Sequence, residues 1–189
     1  MVTALTNFGD SAVLLPVATI LLLWLGRRAS ALWWVLGVAT TAGLIAILKL
    51  YFLACPLGDN LQSPSGHAGL GVVVYGGFAA VIARDRPVIW HRAALWCAVG
   101  GLVLGIAASR LLLGLHSLPE VGIGCVVGGV GLLVFILGDR GAEKRPGTLV
   151  ALVVPAVAAL VLFHGRKLYL DHALRTLGAW LQLGTFACF

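Results

Sequence analysis

The sequence predicts an all-α fold: a polytopic membrane helical bundle of about six transmembrane helices, with a C-terminal helix lying in the membrane interface. Three observations predict it. Of 189 residues, 60% are hydrophobic and 11% are charged, where a soluble domain carries roughly a quarter charged residues, and mean hydropathy is +1.03. Apolar runs recur at the length of about 20 residues that a helix needs to cross a hydrocarbon core of about 30 Å. These runs do not alternate polar with apolar, as the roughly ten-residue strands of a membrane β-barrel do.

Read at that width, the spans fall at about 11–26, 31–54, 64–83, 93–112, 119–138 and 147–164. The links are too short for a separate soluble unit, so residues 1–189 are read as one domain. The first run follows MVTALTNFGD, which contains no Lys or Arg. A secretory signal needs a positive n-region and a small-residue cleavage site, so this run is read as a true span, capped by Asp10 or Ser11. The fourth and fifth spans carry Gly101 and Gly105, and Gly124 and Gly128. Small residues four apart allow close helix approach, which predicts that these two spans touch. Past residue 164, Leu170, Leu174, Leu177 and Leu181 recur at helical spacing, with Lys167, Asp171 and Arg175 between them. That pattern suits an interfacial helix or a short seventh buried one. Of the four cysteines, Cys97 and Cys125 lie inside apolar runs, while Cys55 and Cys188 lie outside them. With no metal-ligand spacing, all four are expected to be inert buried thiols without a disulfide framework.

The pI near 9.6 raises nucleic acid as a partner, but in a membrane chain the placement of charge matters more, and no nucleic acid is expected. With six spans, Arg27, Arg28, Arg84, Arg86, Arg92, Arg140, Lys144 and Arg145 fall on one side. Lys49, Arg110, Arg166, Lys167 and Arg175 fall on the other. The positive-inside rule assigns the first side to the cytoplasm. Both termini, residues 55–67 and residues 113–118 then face outward.

The outward side also gathers the polar groups. Ser63, Pro64, Ser65, Gly66 and His67 interrupt the apolar pattern before the third span. Ser63 is a good N-cap and Pro64 a good first helical residue. The N–H groups of Ser65, Gly66 and His67 would then form an anion-binding helix start, and Gly66 has no side chain to keep a phosphate away. The plain alternative is a capped helix start with His67 at the interface. Arg110 offers a planar fork suited to phosphate, and His116 and Glu120 follow it. Glu120 either closes a capping box with Ser117 or bonds one ring nitrogen of His116, leaving the other free as a nucleophile. A single carboxylate is not expected to serve both roles fully. Lys49 is either a phosphate ligand or a lysine snorkelling to the surface. No carboxylate cluster suited to a metal is visible in the sequence, and no cofactor is expected.

PSGH at 64–67 and SRLLLGLH at 109–116, with Lys49 upstream, resemble the type 2 phosphatidic acid phosphatase family, membrane lipid phosphatases related to acid phosphatases and vanadium haloperoxidases. The likeness covers residues 49–125. The acidic position four after the histidine is Glu120 where the family has Asp. The family's first motif, a Lys followed by Arg-Pro, is degraded: its position reads Ala54, Cys55, Pro56 and Leu57, with no arginine.

The resemblance implies a metal-independent hydrolase. His116 attacks phosphorus to form a phosphohistidine, and Glu120 holds it. His67 protonates the leaving oxygen and then helps activate water. Lys49, Ser65, Gly66 and Arg110 bind the phosphate. The substrate class implied is a lipid phosphate or diphosphate, such as phosphatidic acid, phosphatidylglycerophosphate-type lipids or undecaprenyl diphosphate. The expected location is the bacterial inner membrane, with the site facing the exterior. A lipid phosphotransferase would use the same phosphoenzyme. A carrier or scaffold would not need two histidines in register.

Overall fold

The computed structural model describes residues 2–26, 29–55, 61–139 and 147–168, together with 173, 174, 176 and 177. Seven helices occur among them and no strand: α1 (Val2–Asn7), α2 (Ser11–Leu25), α3 (Ala29–Ala54), α4 (Gly66–Arg84), α5 (Ile89–Leu112), α6 (Leu118–Gly138) and α7 (Thr148–Phe163). Each of the six expected spans is a helix. By length and composition α3, α4, α5 and α6 can cross a membrane, whereas α2 and α7 are apolar but shorter. At about 1.5 Å per residue, the 15 residues of α2 and 16 of α7 fall short of the roughly 30 Å hydrocarbon core. These two short helices pack on each other.

α4 runs through the centre. All but a few of its residues are buried, and it meets α2, α3, α5, α6 and α7. A helix that is apolar all round belongs inside, and this one is built from small residues that let neighbours come close. A Cβ on Gly69 would lie 2.8 Å from the Gly124 carbonyl oxygen, and one on Gly77 would enter the Trp34 ring. Trp34 in turn donates to the Ala18 carbonyl at 3.0 Å and meets Phe135 edge-on, with ring centroids 5.2 Å apart.

Three expectations change. Gly124 and Gly128 approach Ser65 and Gly69 of α4, not α5, and Gly131 approaches Gly37 of α3. Gly101 meets nothing and Gly105 meets only Leu5 of α1, so α5 and α6 have little in common. The small residues of α6 serve α4 and α3 because those are the helices beside it.

α5 begins at Ile89 rather than 93, with Val88 as an extended cap residue after Pro87. His91 and Arg92 therefore lie on its first turn. The cysteines also differ from expectation. Cys97 is exposed on the outer surface of α5, Cys125 is half-buried, and Cys55 is disulfide-bonded just past the end of α3. Cys55 lies beyond the apolar run, where a thiol is not confined to the bundle interior. Cys188 lies outside the described residues, as do Arg27, Arg28, Arg140, Lys144 and Arg145. Of the expected interfacial helix, Ala173, Leu174, Thr176 and Leu177 are helical. Leu170, Asp171, Arg175 and Leu181 lie outside the described residues.

The contacts sort the helix ends. The starts of α2, α4 and α6 share one end of the bundle with the ends of α3, α5 and α7, as the site contacts below establish. At the other end Arg84 pairs with Asp139, the C-cap residue of α6, and stacks over Phe135 with 5.9 Å to the ring centroid.

Candidate active site

The two histidine-bearing segments are joined by one side chain. Glu120, in the first turn of α6, is buried at 6% exposure. Its Oε1 accepts from the backbone N–H groups of Gln62 and Ser63, both at 2.7 Å. Its Oε2 accepts from the Ser117 N–H at 3.0 Å and lies 2.9 Å from His116 Nδ1. The cap and the histidine contact, read as alternatives from the sequence, therefore coexist. A carboxylate has two oxygens with about four acceptor directions, and all four are used. The Glu120 carbonyl also accepts from the Ser65 N–H at 3.0 Å, so the 61–65 segment is held to α6 by three backbone donors.

This latch moves the start of α4. The expected cap, Ser63, precedes Pro64, and a residue before proline is biased away from the helical region. The Ser63 N–H is taken by Glu120. The cap is Ser65, whose hydroxyl accepts from the Ala68 N–H at 3.4 Å, and the helix begins at Gly66 rather than 64. Ser65 is fully buried, and its N–H is bonded to Glu120 instead of facing a ligand. The first-turn donors that have no acceptor within the helix are thus those of Gly66 and His67. A Cβ on Gly66 would meet only Ile45, at 4.0 Å. No close protein neighbour requires glycine there, so the open space beside it belongs to the cavity.

His116 sits on the link between α5 and α6 with its side chain 7% exposed. Its N–H and that of Leu115 both bond the Arg110 carbonyl, at 3.3 and 3.0 Å. Burial lowers the His116 pKa, the Glu120 hydrogen bond opposes this, and the charge of Arg110, followed by that of Lys49, adds to the lowering. The ring is therefore neutral near pH 7. With Nδ1–H donated to Glu120, Nε2 carries the lone pair. Such a nitrogen is a competent nucleophile.

Arg110 is buried on the last turn of α5, and its Nη1 donates to Thr6 Oγ1 of α1 at 3.1 Å. Lys49, near the end of α3, is also buried. It therefore does not snorkel into solvent. It lines a cavity of about 460 Å3 together with Gly66, His67, Asp10 and Lys167. Apart from Ser11, the other cavity walls are apolar, including Ala42, Ile45 and Ala46 of α3, Leu70 of α4, and Leu168, Leu174 and Leu177 from beyond α7. His116, Arg110 and Glu120 do not line this cavity.

Two participants were not expected from the sequence. Asp10 is the N-cap of α2, accepting from the Ala12 N–H at 2.9 Å, and its Oδ2 lies 3.7 Å from His67 Nε2. The cap was legible but its neighbour was not. Lys167 was visible only as part of an interfacial helix, and it adds an ammonium to the wall that carries Lys49.

Comparison with known proteins follows the same residues. Positions 54–144 match the PAP2 superfamily. The chain resembles that superfamily over a little under half of its length. A curated relative, an uncharacterized 22.5 kDa protein in the cps region of Klebsiella pneumoniae, is 31% identical over 139 residues, covering 69% of this chain and 65% of that protein. The match thus spans a little under two thirds of the relative's length. No solved structure gives a significant match. The PAP2 match begins after Lys49 and excludes α1, α2 and Lys167, so these three contributions to the site end of the bundle lie outside it.

Proposed function

We propose that this chain is a membrane-embedded phosphatase acting on a lipid phosphate or lipid diphosphate through a phosphohistidine on His116. The observation that carries the reading is Glu120. One carboxylate orients His116 and holds the 61–65 segment that starts α4, so nucleophile and anion-binding helix start are set by one group.

In the first step the Nε2 lone pair of His116 forms a bond to phosphorus as the bond to the lipid oxygen breaks. His67 gives that oxygen its proton. In the second step a water attacks phosphorus and passes a proton to the now neutral His67, and the P–N bond returns its electron pair to His116. The sum is lipid phosphate plus water giving lipid alcohol plus phosphate. Charge on the phosphoryl oxygens is met by Lys49, Arg110 and the N–H groups of Gly66 and His67, which are held in place beforehand. Lys167 supplies a second ammonium in a chain that lacks the family's motif arginine.

An amphiphilic substrate is supported by the cavity, which sets lysines and a helix start against walls of Ala, Ile and Leu. An outward-facing site is supported by the charge distribution and by the disulfide at Cys55, on the site's end of the bundle, because disulfides persist in oxidising compartments.

The test is phosphate release by purified protein from a panel of lipid mono- and diphosphates, with and without chelator. Turnover on at least one substrate, retained in chelator and lost in His116→Ala, is the expected result. No release from any member would contradict the phosphatase reading. Loss in chelator with recovery on adding a divalent ion would contradict charge neutralisation by side chains alone.

A further inference from the structure

We infer that Asp10 is a positioning residue for the proton donor: it holds the His67 ring through Nε2 and favours its protonated form. The inference rests on the phosphatase reading above for what His67 does, and on geometry for what Asp10 does.

Asp10 divides its oxygens. Oδ1 accepts from the Ala12 N–H at 2.9 Å and from the Leu168 N–H at 3.3 Å. Oδ2 is turned to His67 Nε2 at 3.7 Å. That distance is a charge contact rather than a hydrogen bond. The carboxylate is buried, with its side chain 11% exposed. Three contacts fix it there. The Tyr75 hydroxyl of α4 donates to the Phe8 carbonyl at 2.7 Å. Phe8 packs on His164, with ring centroids 5.1 Å apart. Gly9 lies so close to α4 and α5 that a Cβ would stand 2.7 Å from Ile106 Cγ2 and 3.0 Å from His67 Cβ. A plain helix cap does not need this close approach to another helix's histidine.

The charges around His67 make Asp10 matter. From α3 Lys49 lines the same cavity, and from the segment after α7 so does Lys167. Arg110 of α5 lies at the same end of the bundle. These cations disfavour a proton on His67, and Asp10 is the acidic residue among the cavity-lining ones. With Nε2–H directed at Asp10, the proton for the leaving oxygen departs from Nδ1. His67 is left neutral, with Nε2–H still facing the carboxylate, ready to take the proton of water at Nδ1.

Asp10→Asn separates this role from capping. Asparagine caps a helix as well as aspartate and keeps an acceptor for Ala12 and Leu168, but it presents no charge to His67. The variant should fold with a melting temperature close to wild type. Its turnover should drop about 10-fold on an alkyl lipid phosphate, part of the roughly 10²–10⁴-fold that general acid assistance gives. On an aryl phosphate, whose leaving group needs little proton help, the drop should stay within about 3-fold. In the full chain labelled with ¹⁵N-histidine in detergent, the His67 ring should lose its proton at lower pH in Asp10→Asn than in wild type. Equal losses on both leaving groups, or an unmoved His67 titration in a folded variant, would overturn the inference. If the wild type hydrolyses no phosphate at all, the phosphatase reading fails, and the ring titration alone still decides whether Asp10 acts on His67.

Discussion

His116 and His67, at the site end of the bundle, each face a carboxylate, and the two pairs are built differently. His116 and Glu120 lie 2.9 Å apart with side chains 7% and 8% exposed, while His67 and Asp10 lie 3.7 Å apart at 21% and 11%. The first pair comes from one stretch of chain, four residues apart, and its carboxylate is saturated by three backbone N–H donors besides the ring. The second joins the N-cap of α2 to the first turn of α4. The contrast fits the two tasks proposed for them. A nucleophile must keep one tautomer and one direction through the reaction, which a dry, saturated pair provides. A group that gives a proton and later takes one from water benefits from a looser, wetter contact.

The strongest way to break the tight pair is Glu120→Gln. The carboxamide oxygen can still accept from Gln62 and Ser63, but its NH2 then faces His116 Nδ1 and the Ser117 N–H. Nδ1 must become the acceptor, which moves the ring proton to Nε2 and removes the attacking lone pair. A fall of about 10²-fold or more is expected, in line with other wrong-tautomer substitutions, with a modest loss of stability from the Ser117 bond. Turnover close to wild type would mean that Glu120 serves only as a cap.

A smaller effect sharpens the comparison from the solvent side. His116 must be neutral to attack, and burial lowers its pKa. Activity should therefore fall on acidification only through a pH below the ordinary histidine value of about 6.5, read as the acid limb of kcat/KM. An acid limb above that value would contradict a neutral, buried nucleophile.

What was legible follows the same division between local and distant. The six helices could be read because each apolar run is continuous. His116 and Glu120 could be read as partners because their spacing is local, and only the sharing of one carboxylate between cap and ring depends on the fold. Asp10 was legible as a cap because capping is local. Its approach to His67 depends on Tyr75 and Gly9, which no pattern in the sequence links to it. Ser63 was a sound cap by composition, but the acceptor that claims its N–H lies on α6, and that tertiary bond selects Ser65 instead. Gly124 and Gly128 announced a close approach without saying to which helix. The disulfide at Cys55 was missed because the sequence lacks the dense cysteine pattern that signals such bonds.

The most direct test of the division of labour is rapid-quench trapping of acid-labile phosphoenzyme on an aryl phosphate, in wild type, His67→Ala and His116→Ala. A good leaving group departs without much help, so His67→Ala should form phosphoenzyme and accumulate it above the wild-type level, because water is no longer activated. His116→Ala should form none. Phosphoenzyme in His116→Ala, or its absence in a folded His67→Ala that still binds phosphate, would contradict the assignment of nucleophile to the tight pair and proton carrier to the loose one.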